Sequence, residues 1–117
     1  MDISYFNQKV NKQFISINKT KKEPNVIFDQ SIGNLYVFMM HDPDENYLNW
    51  LVVNNKTIIS YVKPSPSANQ THHYVYSLFN GNITYSILQN SSRVNFNFDE
   101  FTKNLELITQ NYFTTQI

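Results

Sequence analysis

A chain of 117 residues with 41% hydrophobic, 15% aromatic and 15% charged residues has the composition of one globular domain, residues 1–117, and not of a disordered chain. Nine basic and nine acidic residues cancel, so there is no broad positive field of the kind that drives non-specific binding to nucleic acid or to an anionic membrane. With no cysteine, disulfides, thiolate catalysis and cysteine-ligated zinc are excluded.

Residues 1–10 are polar and lack the apolar run of a signal peptide, and the longest apolar run, residues 35–40, is too short to cross a bilayer. A cytoplasmic location is therefore expected. The short basic cluster Lys19, Lys21 and Lys22 reads as a solvated loop or a small phosphate-binding patch. Heavy use of Asn, Lys, Ile, Tyr and Phe suits an AT-rich genome, such as that of a large DNA virus or a parasite.

In chain order the predicted elements are short strands. Residues 14–17 and 26–28 are brief β-type runs, and residues 35–40 (LYVFMM) are continuously apolar, as in a central strand buried on both faces. Asp42-Pro43-Asp44-Glu45-Asn46 then turns the chain, because proline lacks the ladder donor and Asp and Asn favour turns. Residues 50–53 and 57–62 follow as an antiparallel pair, with Asn54-Asn55-Lys56 between them.

Residues 63–70, carrying Pro64 and Pro66, form a fixed loop. Residues 73–79 and 82–88 read as a hairpin across a type I′ turn at Asn80-Gly81. Asp99 is the expected cap of a short helix over residues 100–108, whose Phe101, Leu105 and Ile108 are spaced i, i+4, i+7, and residues 112–115 read as a final strand.

The three histidines sit where strands meet loops, and a rigid sheet fixes side chains beside solvent at such places. His72 and Tyr74 face the same way on an extended strand and offer an imidazole N–H and a phenol O–H, which are donors an ionised phosphate needs, while His73 points elsewhere. Asp42 orients a histidine tautomer, meets an ammonium group or caps the turn; Tyr74 is either a pocket donor or a core residue. A metal site made of His41, Asp42 and His72 is not expected, because adjacent His41 and Asp42 face opposite ways on a strand.

Three stretches carry a family resemblance: residues 35–54, 61–79 and 96–116. Asp42-Pro43-Asp44, Trp50-Leu51-Val52-Val53-Asn54, Pro64-Ser65-Pro66, His72-His73-Tyr74-Val75-Tyr76 and the later Phe96, Phe98, Phe101 and Leu105 resemble, in order, segments of the phosphatidylethanolamine-binding protein family (Raf kinase inhibitor protein-like). That resemblance implies a mainly β fold: a large antiparallel sheet, a second small β layer and one short C-terminal helix. It also implies a pocket for phosphate-like or carboxylate-like anions, with no cofactor and no catalysis. By the family's pattern Asp42, His72, Tyr74, Asn49 and Pro66 line the pocket, and Asp44, Pro64 and His73 support it.

Asn49 stands where the family carries a histidine, which removes a cationic donor and weakens anion binding. Pro64 replaces a glycine and its backbone N–H. Glu45 replaces a small residue, and Asn46 stands in place of a proline. His73 replaces an arginine, which makes any pairing with Asp44 pH-dependent. No closing helix is expected near the C-terminus, which favours a small headgroup or a peptide over a lipid tail.

The leading functional reading is a non-enzymatic binding protein for phosphate or a phosphoethanolamine headgroup, regulating a protein partner such as a kinase or a protease. The second is an interaction protein with a degenerate pocket. The third is a small-ester hydrolase with His72 as base and Ser65 or Tyr74 as nucleophile, which lacks a Gly-x-Ser-x-Gly turn.

Overall fold

The computed structural model describes residues 1–28, 35–83 and 92–117. Its strands are β1 (Asp2–Tyr5), β2 (Gln8–Lys9), β3 (Gln13–Phe14), β4 (Asn25–Ile27), β5 (Tyr36–Asp42), β6 (Tyr47–Val53), β7 (Lys56–Ile59), β8 (His72–Asn80) and β9 (Glu106–Thr115). A 3₁₀ turn (Ile17–Lys19) and one α-helix, α1 (Phe98–Thr102), complete the described elements. The large sheet runs β3-β9-β8-β5-β6-β7, and the small sheet runs β2-β1-β4.

Strand β5 is buried along its whole length because both its faces are covered. Tyr36, Phe38 and Met40 meet Ile3 and Tyr5 from the small sheet and Tyr74, Tyr76 and Leu78 from β8. Val37 and Met39 face the other way, into a cluster with Leu48, Leu51, Phe79 and Phe96 that is closed by Phe98, Phe101 and Leu105. The mainly β architecture with a second β layer and a short helix thus matches the expected fold class.

Between the sheets the aromatic rings interlock: Phe38 stacks on Tyr76 at 5.7 Å and meets Trp50 edge-on at 5.1 Å. Their hydroxyls are paired too. Tyr5 Oη bonds to Tyr76 Oη and lies 2.9 Å from Tyr61 Oη, which donates to the Thr20 carbonyl at 2.7 Å. Burial pushes the Tyr5 phenol far above its ordinary value, and its neighbours Tyr76 and Tyr61 add to the shift, so the chain of hydroxyls stays neutral.

The β6–β7 hairpin has a two-residue turn, with φ 51° at Asn54 and 68° at Asn55, the left-handed pair a type I′ turn requires and asparagine tolerates. The expected hairpin at Asn80-Gly81 does not form with β8. Both edges of β8 are occupied, by β5 on one side and β9 on the other. Gly81 takes φ 134° and its N–H donates to the Leu35 carbonyl at 3.1 Å, so it ends the strand and does not reverse it. Residues 84–88 of the expected return strand lie outside the described residues.

The helix is shorter and earlier than expected. Asn97 is its cap, accepting from the Glu100 N–H at 3.1 Å, in place of Asp99. It ends at Thr102 because the chain enters β9 at Glu106, where a ladder to β8 running as far as Thr115 overrides the helical spacing of Ile108. The last strand therefore starts six residues before the one expected from residues 112–115. Of the expected strand 14–17 only Phe14 lies in a strand, β3, which joins β9 in parallel, so the large sheet is not wholly antiparallel. Strand β7 ends at Ile59, short of the expected residue 62.

Candidate functional site

Strand β5 ends at Asp42, and Pro43 forces the turn that follows. The Asp42 carboxylate shapes this turn: Oδ1 accepts from the backbone N–H of Asp44 at 2.8 Å and of Glu45 at 3.2 Å. Oδ2 lies 2.8 Å from His72 Nδ1, and both side chains are almost fully buried, 3% and 4% exposed. The bend after β5 and the start of β8 therefore meet on one side of the sheet, and Asp42 serves both as turn cap and as orienter of the imidazole.

A small cavity of about 190 Å³ lies beside this pair. Asp42, Asn49 and Tyr74 line it, together with Glu45, Lys63 and Ser65. His72 does not line it; the ring stands behind Asp42, 6.5 Å from the Tyr74 ring. Pro64 and Pro66 are buried on either side of Ser65 and do not reach the lining either, so the proline loop contributes Lys63 and Ser65 in their place.

Asn49 sits on β6, buried, with Nδ2 donating to the Val62 carbonyl at 3.1 Å. That bond fixes the amide orientation, and Asn49 Oδ1 is left buried with no hydrogen-bond partner among the described residues. Arg93 holds the wall from outside, donating to the Asn49 carbonyl at 3.1 Å and to the Ser60 carbonyl at 2.7 Å. Burial pushes the Tyr74 phenol above its ordinary value and the Asp42 carboxylate beside it adds to this, against a hydrogen bond from the Ser65 backbone. Tyr74 is thus a neutral group, both a core residue and part of the cavity wall.

The second carboxylate of the turn, Asp44, accepts the His73 backbone N–H at 2.6 Å, and His73 Nδ1 lies 3.1 Å from the same oxygen. Partial burial favours the neutral acid, but the His73 N–H, its imidazole and the charges of His73 and His72 together hold Asp44 below the usual carboxylate value. This pair is half-exposed and lies outside the cavity lining.

His41 faces away from Asp42. It stacks on Phe98 at 4.4 Å with ring planes 7° apart, and it borders a wider recess of about 500 Å³ that includes Pro43, Asn46, Phe96 and Asp99. Glu45, Tyr47, Val62, Lys63 and Ser65 are the lining residues that sequence reasoning did not place in the pocket. Their only signal was adjacency to the Asp-Pro-Asp turn and to the prolines. Among the described residues no helix is long and apolar enough to cross a membrane.

No protein-family model matches the sequence, and no curated protein matches it. Solved structures do resemble it. A carboxypeptidase Y inhibitor, crystallised with its cognate proteinase, superposes with a TM-score of 0.72 at 17% identity, over 98% of this chain and 81% of the inhibitor chain. A phosphatidylethanolamine-binding protein from Plasmodium vivax superposes with a TM-score of 0.69 at 15% identity, over 98% of this chain and 83% of the other. Two layers of sheet, the covered β5 and a turn-capping carboxylate on a strand-end histidine are thus set in the phosphatidylethanolamine-binding-protein-like fold.

Proposed function

We propose that this protein is a non-catalytic binding module whose small cavity takes a phosphoethanolamine-like headgroup, and that it regulates a protein partner, a protease or a kinase. The observation that carries this reading is the pairing of charge types around one cavity, which Asp42, Glu45 and Lys63 all line. A zwitterion matches such a lining better than a bare anion does. Its ammonium donates to the carboxylates, and its phosphate accepts from Lys63.

The size of the cavity, about 190 Å³, suits a headgroup and leaves no room for acyl chains. With Asn49 in place of a histidine, free phosphate lacks a second cationic partner and is expected to bind more weakly than phosphoethanolamine. The partner class draws on the similar inhibitor, whose structure was determined with a proteinase. A cytoplasmic location belongs to the same proposal, as does the absence of a nucleic-acid role.

Hydrolysis is disfavoured by geometry. The Ser65 hydroxyl is directed to the Lys63 carbonyl at 3.5 Å, while His72 Nε2 faces Gln70, so Ser65 and His72, one of the two nucleophile–base pairs of that mechanism, do not meet. A chelator-treated sample titrated with phosphoethanolamine, ethanolamine and inorganic phosphate tests the headgroup reading, with NMR shifts at the Asn49 side-chain amide and at Tyr74 as the readout. Saturable shifts, largest with phosphoethanolamine, are expected. Silence at both residues up to millimolar ligand would reject the proposal in favour of an interaction protein with a degenerate pocket.

A further inference from the structure

The edge of His72 turned away from Asp42 meets the side chains of Gln70 and Glu45. With Nδ1 directed at the Asp42 carboxylate at 2.8 Å, the proton of the neutral ring belongs on Nδ1, and Nε2 presents a lone pair. Facing Nε2 are Gln70 Oε1 at 3.3 Å and Glu45 Oε1 at 3.8 Å. Among the described residues, one amide side chain and one carboxylate oxygen thus flank the Nε2 lone pair. The ligand atoms offered by Asp42, Glu45 and His72 all lie within 4.8 Å of one another.

We infer that this protein binds a divalent transition-metal ion of the zinc type at His72 Nε2, with Glu45 and Gln70 as further ligands and Asp42 positioning the imidazole from behind. Zinc bonds to imidazole nitrogen and carboxylate oxygen are about 2.0–2.2 Å, so neighbouring ligand atoms in a tetrahedral site lie roughly 3.3–3.6 Å apart. Separations of 3.3 and 3.8 Å come close to this before any adjustment of two exposed side chains. The buried carboxylate on the far nitrogen is the arrangement that fixes the tautomer of a metal-binding histidine and raises its basicity.

The ligands come from well-placed backbone. Glu45 donates its N–H to Asp42 Oδ1 at 3.2 Å, Gln70 donates its N–H to the Ser67 carbonyl at 3.1 Å, and His72 opens β8. His72 is closed off by packing, while Glu45 and Gln70 are exposed, so an ion approaches from solvent on their side. Three protein ligands leave at least one coordination position for water or another ligand. Because Glu45 also lines the cavity, the ion would cancel negative charge at its rim. The inference stands on ligand geometry and not on the headgroup reading, and it is tested with the metal alone.

A second proton on His72 would satisfy the same acceptors, and calorimetry with zinc chloride at neutral pH in phosphate-free buffer separates the two. One ion per chain is expected, with an X-ray absorption edge fitted by one imidazole and oxygen ligands. Glu45→Gln and Gln70→Ala, both at exposed positions whose fold is checked by the amide spectrum, should each weaken binding at least about tenfold. His73→Gln, which removes the half-exposed pair with Asp44, should leave it unchanged. No saturable binding up to millimolar zinc, an affinity indifferent to Glu45→Gln, or loss of binding in His73→Gln would each overturn the inference.

Discussion

Asp42 and Asp44 sit on the same turn and each pairs with a histidine, yet burial gives the two pairs different weight. Removing Asp42 leaves His72 enclosed without its partner and frees two turn N–H groups, so Asp42→Ala is expected to cost about 3 kcal/mol or more. Asp44→Ala, at a half-exposed pair, is expected to cost less than about 1 kcal/mol. Urea denaturation of both variants checks the contrast, and equal losses would contradict it.

His41 adds a pH dependence. Burial lowers its imidazole from 6.5 to about 4, against smaller opposing effects of the Val75 backbone and Asp99. Between those values the unfolded chain binds the proton and the folded chain does not. The stability contributed by neutral His41 is therefore complete above about pH 6.5 and declines as pH falls toward about 4, by on the order of 3 kcal/mol. His41→Phe keeps a ring against Phe98 and removes the titrating nitrogen, so its stability profile should be flatter in that window. An unchanged slope would place the acid sensitivity elsewhere.

Among elements, continuous burial was legible and local spacing was not. Residues 35–40 read as a two-sided central strand because nothing polar interrupts them, and β5 is that strand. Phe101 and Leu105 do pack beneath the sheet as a helical pattern implies, but Ile108 is 43% exposed on β9, so its apolar character misled the periodicity. Strand β1 was missed, although Ile3 and Tyr5 alternate inward against Asp2 and Ser4. Asn80-Gly81 has the residues of a hairpin turn, but which neighbour occupies each edge of β8 is decided by distant segments. At Gly81 the φ of 134° disfavours any side chain, and an added Cβ would come within 2.9 Å of Leu105 Cδ2. Gly81→Ala should accordingly lose at least about 1 kcal/mol, measured by denaturant midpoint; a neutral result would show that Leu105 moves freely.

For the molecule as a whole, the covered strands and the sheet margins should differ in local stability. Amides of β5 and β8 are expected to exchange most slowly with deuterium, and those of β2 and β7 fastest, since the first pair is ladder-bonded on both sides and the second lies at edges. Uniform exchange across the large sheet would contradict this. Of the candidate pocket residues, Asp42, which ends β5, and Asn49 and Tyr74, near the starts of β6 and β8, line the cavity, whereas His72, Pro64 and Pro66 do not. Glu45, Tyr47, Val62, Lys63 and Ser65 were not read as lining, because which neighbouring residue faces a hollow depends on how distant segments close over it.

The parallel pairing of Phe14 with Thr114 ties one end of the polypeptide to the other inside the same ladder. A pairing across such a long sequence separation carries a loop-closure entropy that comes before its reward. Refolding from denaturant should accordingly run in roughly milliseconds to seconds, with the β3–β9 pairing among its late events.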